Sequence, residues 1–177
     1  MTSIVFVIPI VGIIGLVFMF YKSAWVNRQS EGTEKMKRIA GYIADGAMAF
    51  LKAEYKILML FVASVSILLL FRGFAFSLQN LYVLVSFLTG AFLSGLAGYI
   101  GMKVATKANV RTTHAARTSL NKALMVAFNG GSVMGIAVVT LGLMGLSILF
   151  IVFNYWLADD FGMDSVLNII SAFSLGA

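Results

Sequence analysis

Cysteine is absent from all 177 residues, proline occurs once (Pro9) and histidine once (His114). The first absence excludes disulfides, thiol nucleophiles and cysteine-held metals. The lone imidazole has no Asp or Glu within 15 residues on either side, so it reads as an ordinary surface histidine rather than a metal ligand. Charge is scarce too: 11% of the chain is Asp, Glu, Lys or Arg, against about a quarter in a soluble domain. The seven carboxylates avoid the apolar runs, and Glu54 and Asp164 come nearest, at run edges. Ion relays across a bilayer use ionisable groups inside it. Hydrolysis of a magnesium-bound phosphate needs clustered Asp or Glu. On these residues alone, neither chemistry has its groups.

What is present is apolar. Hydrophobic residues make up 60% of the chain, more than a domain of this size could hide in its own core. Charge-free runs at 1–21, 57–71, 73–102, 123–158 and 165–177 mark where the chain crosses lipid, since about 20 apolar residues span a ~30 Å hydrocarbon layer. The second run extends N-terminally through Phe50, Leu51, Ala53 and Tyr55, with Lys52 and Lys56 able to snorkel. The reading is all-α: one transmembrane domain, a polytopic helical bundle with four complete spans (about 3–24, 40–71, 80–107 and 120–157). The start of a fifth span, 165–177, is expected to be truncated by the end of the chain.

Twelve of the thirteen Lys and Arg residues fall in 22–56 and 103–122; only Arg72 lies between spans two and three. Between spans four and five stand Asp159, Asp160 and Asp164 and no base. The positive-inside rule puts the basic segments in the cytoplasm and the N-terminus outside. Basic loops at a membrane also account for the net charge of +6 without a nucleic-acid partner. The first run has no basic residue before it, so it reads as a retained helix rather than a signal peptide. Trp25, Tyr155 and Trp156 sit at span ends, as aromatic belts do. The lack of cysteine and of an organelle-type presequence points to a prokaryotic inner membrane.

Ser30 and Thr33 are candidate caps ahead of Glu34, and Met36, Ile39, Ala40, Ile43, Ala47 and Phe50 then recur at helical spacing. Helix two therefore begins as an amphipathic cytoplasmic extension. Its charges either pack at the membrane surface or line an entrance for an anion. In span three, Gly90, Ser94 and Gly98 recur every four residues; in span four, Gly131 and Gly135 do. Small residues so spaced let helices approach closely in lipid, and they suggest partner helices outside these residues. The string Asn129–Gly130–Gly131–Ser132 lacks the Lys of a phosphate loop and reads as a packing face. Lys103, Lys107 and Arg111, four residues apart, either anchor the loop at anionic headgroups or draw a polyanionic substrate to that side.

Two long strings resemble the membrane-bound, ion-translocating inorganic pyrophosphatases: EGTEKMKRIAGYIADGAMAFLKAEYK, Glu31 to Lys56, and GMKVATKANVRTTHAARTSLNKALMVAFNGGSVMG, Gly101 to Gly135. The terminal SAFSLGA, Ser171 to Ala177, resembles the start of that family's fifth helix. The resemblance implies a homodimer of roughly sixteen-helix subunits that hydrolyses cytoplasmic pyrophosphate with Mg²⁺ and pumps H⁺ or Na⁺ outward, with K⁺ activation left open. It implies that this chain is an N-terminal fragment contributing outer-ring helices. The family's catalytic, metal and gate groups would then lie beyond residue 177, and the fragment alone would be inactive. A free-standing, non-catalytic scaffold subunit is the alternative. An unrelated small transporter is disfavoured by the lack of an intramembrane charge.

Overall fold

The computed structural model describes residues 2–71 and 78–177, with side chains for 6–71, 78–156 and 162–177. Arg72 lies outside the described residues, as do the side chains of Asp159 and Asp160. Five helices follow one another: α1 (Thr2–Asn27), α2 (Glu34–Leu70), α3 (Leu78–Ala116), α4 (Leu120–Phe161) and α5 (Met163–Gly176). No strand occurs among the described residues. Four of the helices are long and apolar enough to cross a membrane.

Local chemistry sets the helix ends. Thr33 opens α2: its Oγ1 accepts from the Met36 N–H at 3.4 Å and its carbonyl from the Lys37 N–H at 3.0 Å. The preceding Gly32 has φ +84°, a left-handed conformation that glycine adopts without a Cβ penalty. Ser119 opens α4, its carbonyl accepting from the Ala123 N–H at 3.1 Å. Gly162, φ +75°, separates α4 from α5, so the acidic stretch read as a fourth loop is mostly the last turn of α4. The basic segment 103–122 is likewise helical through Ala116, with only a short turn before α4. Val104 and Ala108, one turn apart, continue a buried apolar face there, which keeps α3 helical past its charge-free run.

The chain divides into two compact units. The first comprises Met1–Ile13, Tyr55–Leu96 and Thr140–Ala177. Its core joins Val83 and Phe87 of α3, Phe153 of α4 and Val166, Ile169, Ile170 and Ala172 of α5. In α5 the buried positions 166, 169, 170 and 173 repeat at helical spacing, so one face seats on its neighbours. The second unit comprises Ile14–Glu54 and Ala97–Val139 and centres on Met19, Val104, Val133 and Ala137. Eleven basic residues against four carboxylates leave it a formal +7.

No residue of α2 is buried, and side chains such as Leu60 and Leu68 are 71% exposed. Continuous apolar faces of this kind need a non-aqueous surround, and helices meet that condition because their backbone bonds close within the segment.

Candidate functional site

The described polar side chains that converge do so in the second unit, at the turn between α1 and α2. The last carbonyls of a helix have no partner within it, and α1 has no basic residue in its own last turn. Arg111 of α3 supplies the missing donors. Its Nε donates to the Gln29 carbonyl at 3.1 Å and its Nη2 to the Asn27 carbonyl at 3.3 Å. Nη2 also donates to Glu31 Oε1 at 2.7 Å, and Nη1 to the Lys107 carbonyl at 2.8 Å. A guanidinium has five N–H groups in a fixed fork, and here four bonds draw on them. Arg111 is only 6% exposed.

The three basic residues spaced by four thus occupy different environments. Lys103 is exposed, with its ammonium 3.4 Å from the Tyr99 hydroxyl and over that ring. Lys107 is exposed and takes part in no described ion pair. Arg111 is committed to the turn. His114, one turn further along α3, lies against Gly32, and its Nδ1 has no hydrogen-bond partner among the described residues.

A second polar tie joins α1 to α4. Lys22 Nζ donates to Asn129 Oδ1 at 2.7 Å, while Asn129 Nδ2 donates to the Met125 carbonyl at 2.7 Å. Asn129 to Ser132 are helical residues inside α4, so their N–H groups belong to the helix ladder rather than to a phosphate cradle.

The small residues divide as well. Ser94 Oγ donates to the Ala177 carbonyl at 2.7 Å, and a Cβ on Gly90 would strike the Phe173 carbonyl. Gly98 is half-buried. Gly131 and Gly135 face open space, with nothing within 4 Å of a built Cβ. In α4 the close approaches to α3 are made instead by Gly130, against Ala108, and Gly145, against Leu93. The Arg111 clamp and the Lys22–Asn129 tie were not read from the sequence. A basic residue on an apolar helical face, opposite a helix end lacking a base of its own, was the available signal for the clamp.

Residues 13–177 match the family described as inorganic H⁺ pyrophosphatase. The chain belongs to that family. It is 44% identical over 148 residues to a "K(+)-insensitive pyrophosphate-energized proton pump 2" of Moorella thermoacetica, covering 84% of this chain and 21% of that one. It is 40% identical over 159 residues to a "K(+)-stimulated pyrophosphate-energized sodium pump" of Thermotoga maritima, covering 89% and 21%. A provisionally named sodium pump of Bacteroides thetaiotaomicron is 43% identical over 161 residues, covering 90% and 22%. The chain therefore spans about a fifth of the length of the curated relatives it matches. With four long apolar helices, this pyrophosphatase-family chain is an integral membrane protein.

Mg²⁺ binds through clustered oxygen ligands and keeps several of its waters. The described carboxylates do not offer such a cluster: Glu31 is paired with Arg111, Glu34 with Lys37, and no three potential ligands group together among the described residues. The described residues alone do not fit a magnesium site.

Proposed function

We propose that these helices form the supporting, outer part of a homodimeric pump that hydrolyses cytoplasmic Mg²⁺-pyrophosphate and moves H⁺ or Na⁺ outward. The observation that carries the reading is family membership across residues 13–177, together with pump relatives aligned over 84–90% of the chain. The geometry supports a structural part: the buried polar groups Arg111 and Asn129 hold helices and turns to one another. Proton and sodium pumps are about equally similar here, so ion choice and K⁺ dependence are assigned to groups elsewhere in the pump. The charge bias supports an N-terminus outside and the basic helix ends in the cytoplasm. Lys103 then serves as a headgroup anchor.

The test is to read the coding frame past codon 177 and assay the complete product in membrane vesicles. An open frame, with pyrophosphate-dependent H⁺ or Na⁺ uptake that requires Mg²⁺, is the expected result. A stop codon directly after Ala177, with no such uptake, would replace this reading with a non-catalytic scaffold subunit.

A further inference from the structure

In the second unit, α2 and α3 leave a gap between their apolar faces. Met36, Ile39, Ala40 and Ile43 of α2 form one wall, at i, i+3, i+4 and i+7. The opposite wall uses the same spacing on α3: Thr106, Asn109, Val110 and Thr113. Thr106 Oγ1 donates to the Met102 carbonyl and Thr113 Oγ1 to the Asn109 carbonyl, so both hydroxyl hydrogens are already used within α3. Its volume is about 180 Å³. Ile39 and Ile43 remain 46% and 49% exposed along it.

Position argues against lipid as the occupant. α2 has 37 residues, about 55 Å at 1.5 Å each, against a hydrocarbon layer of ~30 Å. With residues from Phe50 onward in that layer, Ile43 stands about 10 Å and Met36 about 20 Å beyond it. Acyl chains do not fill a slot at that height.

Charge then selects among polypeptides. Lys37 is taken by Glu34 and Arg111 by Glu31. Lys35, one turn before Ile39, and Lys107, three residues before Val110, flank the two walls and take part in no ion pair among the described residues. A second copy would bring another unit of formal +7 against the first, which is repulsive. An apolar stripe edged by Asp and Glu complements the walls and the rim together.

We propose that this groove receives an amphipathic, acidic helical segment of the same polypeptide outside residues 1–177. The proposal rests on the reading that these helices are part of a longer pump, because a tethered segment reaches the groove at high effective concentration.

These 177 residues hold no cysteine, so the test is made on the complete protein in permeabilised membranes with any cysteine outside them first replaced by serine. Single-cysteine variants Ile39→Cys and Asn109→Cys, on opposite walls, are labelled with a water-soluble maleimide beside Thr118→Cys on the exposed turn. At low salt both wall positions should label about tenfold more slowly than position 118, and 1 M salt or Lys35→Gln with Lys107→Gln should remove most of that protection. Carbodiimide should join Lys35 or Lys107 to a carboxylate in an acidic amphipathic stretch of the same polypeptide, identified by peptide mass. Full-rate labelling of both walls at low salt overturns the proposal. So does protection lost on delipidation but not in salt, or a cross-link to a second copy or to another protein. A frame closing at Ala177 defeats the pump reading itself, whereas an open frame with unprotected walls defeats only the docking.

Discussion

Gly90 of α3 and Gly176 of α5 are reciprocal: a Cβ on Gly90 would strike the Phe173 carbonyl of α5, and one on Gly176 the Phe87 carbonyl of α3. Backbone meets backbone at both positions, and Ser94 adds a hydrogen bond to Ala177. Gly90→Ala or Gly176→Ala should each destabilise the α3–α5 contact by about 1–3 kcal/mol, the usual cost of overpacking. The double variant should cost less than the sum, since both break one contact. Thermal unfolding of the solubilised protein measures this. Gly131→Ala and Gly135→Ala, in open space within this chain, are the controls, and a loss there would reveal a partner helix on that face.

Arg111 answers a different question, how a helix end is finished. Arg111→Met should cost about 3 kcal/mol or more, because two turn carbonyls and the Glu31 carboxylate lose their donor together. Glu31→Gln should cost under about 1 kcal/mol, since the amide oxygen can still accept from Nη2 and the guanidinium keeps its three carbonyl acceptors. Arg111→Lys should fall between, with one ammonium unable to reproduce the fork. Protease cleavage between Asn27 and Thr33 reads the opening of the turn.

Gly32→Ala combines two penalties. The backbone is left-handed at φ +84°, and the new methyl would lie 2.6 Å from Met36 Sδ and 2.8 Å from His114 Nδ1. The expected loss is about 1–3 kcal/mol. Adding His114→Ala should return only the histidine's part of the steric share, with the Met36 contact and the backbone strain remaining, which a double-mutant cycle measures.

Ser86 is fully buried in α3 and its hydroxyl has no partner among the described residues. Removing an unsatisfied buried hydroxyl should be neutral or stabilising by about 1 kcal/mol. A Ser86→Ala variant that unfolds more readily would show that the hydroxyl is bonded in the assembled protein.

Lys103→Gln with Lys107→Gln, made in the complete pump, should lower insertion yield or disturb topology while leaving the KM for pyrophosphate unchanged. A KM that rises at low salt and recovers at high salt would instead assign these ammonium groups to substrate attraction.

The helical class was legible because lipid imposes it: charge-free runs of span length admit few other structures. The spacing of Gly90 and Ser94 marks a face of α3 on which Gly90 meets the Phe173 carbonyl and Ser94 bonds Ala177. The same spacing at Gly131 and Gly135 marks a face without naming what covers it, and the approach to Ala108 falls one residue away, at Gly130. Helix ends were less visible, since hydropathy reports the bilayer while α3 continues to Ala116 on its own buried side chains. The Arg111 clamp was hidden for a simpler reason: two of its acceptors are main-chain carbonyls of the turn, which no residue type announces.

That clamp also has a schedule. Arg111 and Glu31 are 80 residues apart, and a ribosome adding about 5–20 residues per second leaves roughly 4–16 s between their appearances. For that interval the first hairpin must stand with its turn carbonyls held by water alone. Its closure then awaits the third helix, so the first turn is completed late although it is made early.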